Sequence, residues 1–307
     1  MESRKSAKKA PQKDKPARNG KLTLCGTTFS VLPLYLFTLA FVLAPLIYMF
    51  VLSFMQRGGS WGVEMSLSFD NYLRITEPVY LGTFTESIKL ALLCTLFVAL
   101  LGYPFGYFMA RLSPLWRQRV MLLLIVPFWT SSLMRLYGWI IFFRANGTLD
   151  HALMGIGLTQ GPLRLLYSYP AVVTGMVYAL LPFMAYSVYA SAEKLDRSLV
   201  EASRNLGASA LRAFFSVSFP LTMPGLFSGI VLTFIPSMGL FFIADILGGS
   251  KVVLVGNLIQ EQLMRAHDWP FAAALSVCLM ALTSIFLFLY SRLTRALGSG
   301  GELEGLV

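Results

Sequence analysis

Residues 195–220 read LDRSLVEASRNLGASALRAFFSVSFP, a polar stretch set between two long apolar runs. Its internal pattern is helical. Leu195, Leu199, Ala202 and Leu206 recur at the spacing of one helix face. Ser198 and Glu201 stand at capping-box spacing, in which the hydroxyl takes the N3 amide and the carboxylate reaches back. Gly207 is placed to end the helix in the left-handed conformation that glycine permits. Residues 208–219 then resume helically, and Pro220 opens the approach to the next apolar run. The stretch predicts two short helices outside the hydrocarbon, with membrane spans on either side.

The 307-residue chain is 56% hydrophobic and 13% charged, too little polar surface for a soluble domain of this length. About 20 apolar residues cross a hydrocarbon core. Six segments qualify: Thr28–Phe54, Phe84–Ala110, Val120–Phe142, Tyr169–Ser191, Thr222–Asp245 and Phe271–Ser291. Pro45, Pro104, Pro127, Pro182, Pro224 and Pro236 interrupt them, as membrane helices tolerate when neighbours satisfy the freed carbonyls. Pro236 and Gly239 are spaced to break the fifth span and expose carbonyls to a solute. Gly102/Gly106 and Gly225/Gly229 predict close helix approach, favoured within the chain over a subunit interface. The expected fold is an all-α membrane protein of six transmembrane helices. It divides into a disordered basic tail (1–27), a first span with its outer loop (28–83), a main transmembrane domain (84–292) and a C-terminal tail (293–307).

Charge orients the spans. With the N-terminus inside, inner segments hold 17 basic residues, eight of them between Arg4 and Lys21, and outer loops hold six. Both termini are therefore expected in the cytoplasm. The basic tail reads as a topology signal against anionic headgroups, with no nucleic-acid partner. The apolar run after it is too long for a cleaved signal peptide. Cys25, Cys94 and Cys278 lack the spacing of a disulfide framework or metal site, and His151 and His267 fall in different loops. No metal or cofactor is called for. A phosphate-binding G-x-x-x-x-G-K-[ST] loop is absent, since residues 248–251 lack the spacing, and so are hydrolase constellations. The chain reads as a non-enzyme.

Asp245 closes the predicted fifth span just after Phe241 and Phe242, and Arg135 sits in the outer part of the third. An ionisable group at that depth is a functional candidate. Two readings stay open: a buried Arg135–Asp245 ion pair, or a cation site at Asp245. Trp129, Tyr137 and Tyr178 are aromatic with polar tips and candidates to line a path, against the plainer role of packing or interface belts. Glu86 and Lys89 are spaced for a local helix pair.

The loop also carries a resemblance. Glu201-Ala202-Ser203, three residues, Gly207, nine residues and Val217-Ser218-Phe219-Pro220 match seven positions of the signature loop of ABC importer permeases, with Ser203 and Phe219 departing mildly. Residues 126–139 (VPFWTSSLMRLYGW), 181–184 (LPFM), 220–225 (PLTMPG), 236–249 (PSMGLFFIADILGG) and 267–271 (HDWPF) resemble the spermidine/putrescine permease family, the PotB type, over roughly Pro33 to Arg295. That resemblance implies a type I importer permease fold and half of a translocation path in a bacterial inner membrane. Glu201, Ala202, Ser203, Gly207 and Pro220 would couple to a separate ATPase. The implied partners are a second permease chain (PotC type), an ATPase dimer (PotA type) and a periplasmic polyamine-binding protein (PotD type). Alternatives are an ABC permease for another solute, an option Arg135 sustains, and, with less support, a stand-alone secondary transporter.

Overall fold

The computed structural model describes residues 33–59, 62–159, 161–249 and 251–296. The predicted basic tail, Cys25 and residues 297–307 lie outside them. The chain divides into two compact units, residues 1–49 and 50–307. In the first, the described residues belong to α1 (Pro33–Leu52), an uncharged, strongly apolar helix with a π-helical turn at Leu39–Leu43 and no buried residue. Its 20 residues suffice to span the hydrocarbon at about 1.5 Å each.

The second unit opens with an antiparallel hairpin, β1 (Met55–Arg57) and β2 (Val63–Leu67), and a short helix α2 (Asp70–Ile75). Then come α3 (Pro78–Met109), α4 (Pro114–Ile125, prolonged by a 3-10 turn at Val126–Trp129), α5 (Ser132–Phe143) and α6 (Thr148–Gly155). After these follow α7 (Tyr169–Glu193), α8 (Arg197–Asn205), α9 (Ala210–Gly239), α10 (Phe241–Gly248), α11 (Val255–Met264) and α12 (Trp269–Ala296). Arg57 Nη2 donates to the Ala266 carbonyl at 2.7 Å, and Arg74 pairs with Asp268 at 2.8 Å while its guanidinium lies 4.0 Å from the Phe271 ring centre. Hairpin and α2 are thus tied to the start of α12.

The core is built on α7, whose Met176, Leu180, Met184, Ala185 and Val188 are buried between α3 and α9. Glycine makes that approach possible. A Cβ on Gly102 would stand 2.7 Å from Met184 Cγ, and one on Gly106 would meet the Ala185 carbonyl. From the other side, a Cβ on Gly225 would lie 2.7 Å from the Ser187 carbonyl, and one on Gly229 would meet Met184 Sδ. Both small-residue pairs therefore serve contacts within the chain. Side-chain hydrogen bonds add to the apolar packing: Ser187 with Ser228 at 2.7 Å and Tyr103 with Thr222 at 2.8 Å.

Two spans differ from expectation. The third is not continuous: Pro114–Trp129 and Ser132–Gly155 meet at a bend of 96°. Pro127 brings no amide and sits in the 3-10 turn, whose carbonyl is taken by the Thr130 hydroxyl at 2.8 Å. Thr130 then leaves the helix with extended backbone. The fifth span begins at Ala210, well before Thr222, and runs through a π-helical turn at Phe214–Ser218. Pro220 consequently lies inside this helix rather than at its approach, the widened turn before it easing the missing amide bond. At the far end the expected break appears: α9 stops at Gly239, Leu240 turns at φ −80° and ψ 47°, and Asp245 belongs to the separate α10.

Candidate functional site

The polar loop folds as α8 followed by the first turn of α9. Asp196, not Ser198, caps α8: its Oδ1 accepts the Ser198 amide at 2.9 Å. The expected Ser198–Glu201 capping box is not formed. A carboxylate at the helix start adds full charge to the hydrogen bond, against the positive helix end, and draws Arg197 and Ser198 into the first turn. The Ser198 amide in turn holds the Asp196 carboxyl below its ordinary range. At the other end, the Gly207 amide bonds the Arg204 carbonyl at 2.9 Å and the Ala208 amide bonds that of Ser203 at 3.2 Å. Those two bonds are a Schellman motif, and Gly207 sits at φ +88° as it requires. Ser209 then caps α9 through the Arg212 amide at 3.3 Å.

The two faces of α8 differ. Leu199, Ala202 and Leu206 are exposed, Leu206 at 90%. Val200, Glu201 and Arg204 line a cavity of about 360 Å³ with Arg111, Arg117 and Glu193. Arg117 pairs with Glu193 at 2.8 Å, and Arg111 donates to the Tyr107 hydroxyl. Ser203 is half-buried, whereas Gly207 and Pro220 are exposed. The loop thus presents an apolar helix face with a rigid, glycine-terminated end.

Path candidates fall into two places. Arg135, Tyr178 and Phe242 line a cavity of about 230 Å³, together with Phe128, Phe183 and Leu240. The Arg135 guanidinium lies 4.8 Å from the Phe128 ring centre and 6.0 Å from that of Tyr178, and donates to Ser132 Oγ at 3.0 Å. Tyr178 also packs edge-on to Trp139 at 5.5 Å. Trp129 and Tyr137 are exposed instead, at 78% and 58%.

Asp245 lies apart from these. It is exposed on α10, and its Oδ1 accepts Asn257 Nδ2 at 2.6 Å. No Arg135–Asp245 pair forms; the ion pairs among the described residues are Arg74–Asp268, Lys89–Glu86 and Arg117–Glu193. Similar expected positions along two spans say nothing of direction around them. The bend before α5 turns Arg135 toward Phe128 and Tyr178, and the break before α10 turns Asp245 toward α11.

Asn257 is the residue sequence reasoning missed. Nearly buried, it takes the Leu254 amide on Oδ1 at 2.9 Å and donates to both the Phe241 carbonyl and Asp245. Asp245, Asn257, Gln260, Glu261 and Arg265 surround a cavity of about 480 Å³. Glu261 follows Asn257 by one helical turn, on the same face. Phe241 packs against the α11 backbone at Gly256, where a Cβ would stand 2.8 Å from its own. The only sequence signal was an asparagine three residues after Leu254, at the head of a segment read as loop.

Known proteins resemble this chain in sequence and in fold. The spermidine/putrescine transport system permease protein PotB of Escherichia coli (strain K12) is 43% identical over 264 residues, covering 86% of this chain and 96% of that one. The PotB of Haemophilus influenzae is 39% identical over 264 residues, covering 86% and 92%. In fold, the chain is similar to the crystal structure of a bacterial alginate ABC transporter in complex with alginate pentasaccharide-bound periplasmic protein. That match has a TM-score of 0.74 at 14% identity, covering 91% of this chain and 98% of that one. Residues 102–299 match the family described as binding-protein-dependent transport system inner membrane component, and the chain belongs to that family.

Proposed function

We propose that the chain is a permease subunit of an ATP-driven polyamine importer, forming half of the path for spermidine or putrescine. The observation that carries this reading is the 43% identity to a spermidine/putrescine permease, which spans nearly the whole of that protein. The chemistry agrees with it. Polyamines are flexible cations, and Asp245 and Glu261 offer two carboxylates to one cavity, with Asn257 fixing one oxygen of Asp245. A permease of this family works with a separate ATPase and a substrate-binding protein. In the finer reading, these are a PotA-type dimer and a PotD-type protein, and a PotC-type chain completes the path. The exposed side of α8, with Ala202 and the glycine-terminated end at Gly207, docks to the ATPase on the cytoplasmic side, where both termini lie, with Glu201 at the edge of the adjoining cavity and Ser203 half-buried behind.

The test is uptake of labelled spermidine and putrescine by the reconstituted complex, driven by ATP. Asp245→Asn should lower uptake by about tenfold, the factor that 1.4 kcal/mol of lost charge interaction supplies. Because no pair joins Asp245 to Arg135, adding Arg135→Gln should not restore it. Uptake of both polyamines unchanged by Asp245→Asn removes Asp245 from the path; no ATP-driven uptake of either overturns the substrate assignment. Arg135 favours an anionic solute as the second reading, and ATP-driven uptake that a small anion competes for while excess spermidine does not would support it.

A further inference from the structure

Arg135 lies in α5, three residues past the 96° bend, half-buried in the cavity beside the break that ends α9. It belongs to none of the ion pairs among the described residues, and its hydrogen bond goes to a neutral hydroxyl, Ser132 Oγ. An ionised group half-buried in an apolar cavity of a broken span is costly and is a functional candidate by default. What holds it is aromatic: Phe128 at 4.8 Å and Tyr178 at 6.0 Å. Faces of this kind attract any cation through their quadrupole. The guanidinium therefore occupies the surface that a substrate ammonium would use.

Two physical effects follow. A fixed positive charge raises an electrostatic barrier to free cations, as arginine does in water-selective pores. Cation–π contact is also weak, worth about 0.5–2 kcal/mol, so an amine that brings further charges and methylenes to the cavity competes for the same faces. We propose that Arg135 is a tethered cation gate: it closes the aromatic cavity by sitting on Phe128 and Tyr178, and a substrate ammonium opens the cavity by taking its place. The proposal rests on the reading that this cavity lies on the translocation path. It assigns Arg135 a role in excluding small cations, which uptake measurements alone do not reveal.

The experiment uses the full complex in proteoliposomes and reads ATP-independent efflux of trapped rubidium and of labelled guanidinium, alongside ATP-driven polyamine uptake. Arg135→Cys should raise efflux by about tenfold, within the range of one lost cation–π contact. A cationic methanethiosulfonate should close the leak again, and a neutral methanethiosulfonate should leave it open. Arg135→Lys should stay tight. Phe128→Leu, which keeps the arginine and removes its main seat, should leak as well, and this second variant carries the test where Arg135→Cys does not insert. Efflux from both Arg135→Cys and Phe128→Leu equal to the unsubstituted complex overturns the gate, as does a leak closed equally by cationic and neutral reagents. Wild-type uptake is scored separately, so a failed gate and a wrong substrate give different results.

Discussion

Gly207 closes the exposed α8 helix, and its replacement separates backbone strain from crowding within the chain. A Cβ added there meets no atom within 4 Å, so crowding inside the chain contributes nothing. The φ of +88° remains. For an ordinary L-residue the left-handed region costs about 1–2 kcal/mol, and for a β-branched one it is a genuine outlier. Asparagine visits it at lower cost because its short side chain bonds locally. Gly207→Val should therefore unwind the Schellman turn, releasing the amides of Gly207 and Ala208 from the carbonyls of Arg204 and Ser203. At about 1.5 kcal/mol the properly shaped loop becomes roughly tenfold rarer. The assay is the ratio of substrate imported to ATP hydrolysed in proteoliposomes, with membrane insertion checked in parallel. Gly207→Val should cut uptake by about tenfold and Gly207→Asn by no more than about twofold. Equal uptake by both variants would refute the reasoning, because they differ in backbone tolerance far more than in reach.

Three further outcomes follow from the fold. Gly106→Leu should force α3 away from the Ala185 carbonyl at a cost of about 1–3 kcal/mol. It should lower the thermal midpoint of the purified protein, whereas Gly82→Leu, with open space at its Cβ, should not. Arg74→Gln leaves the Asp268 carboxylate, only 4% exposed, without its cation. The loss should be about 1–3 kcal/mol, below the full buried-pair value because Arg74 is 39% exposed, and readable as a lower midpoint. Asp196 has a depressed carboxyl pKa in the folded loop, so its cap is fully present above the ordinary aspartate value and is lost as pH falls through the lowered one. Exchange protection of the Ser198 amide should persist to below about pH 4, the unperturbed range, and loss of protection near neutrality would contradict the cap.

Much of this architecture is readable from residue order, and the failures share a cause. Gly207 announces its own conformation because few residues other than glycine hold a positive φ cheaply. Gly102/Gly106 and Gly225/Gly229 likewise state how near another helix must come, though not that both would close on α7. Pro236 and Gly239 mark the end of α9. Hydropathy, by contrast, is blind to direction. It counts Val120–Phe142 as one apolar run while the chain turns 96° at Thr130 and Ser131. The same blindness kept an Arg135–Asp245 pair open as one of two readings, because position along the spans was inferred and azimuth was not. At α8 two overlapping caps were available, and the charged Asp196 prevailed over Ser198. Asn257 escaped notice because two of its three partners, Phe241 and Asp245, lie on the separate helix that follows the turn at Leu240.

The long helix α9 has its Gly225 and Gly229 contacts near its midpoint. A rod pinned at its centre is a see-saw: what its inner end gains in one direction, its outer end gains in the other. With a length of roughly 45 Å at 1.5 Å per residue, a tilt of about 10° swings each tip by roughly 4 Å. A glycine fulcrum at Gly225 and Gly229 therefore suffices to couple a displacement at one end of α9 to the opposite displacement at the other, with no flexible relay between them.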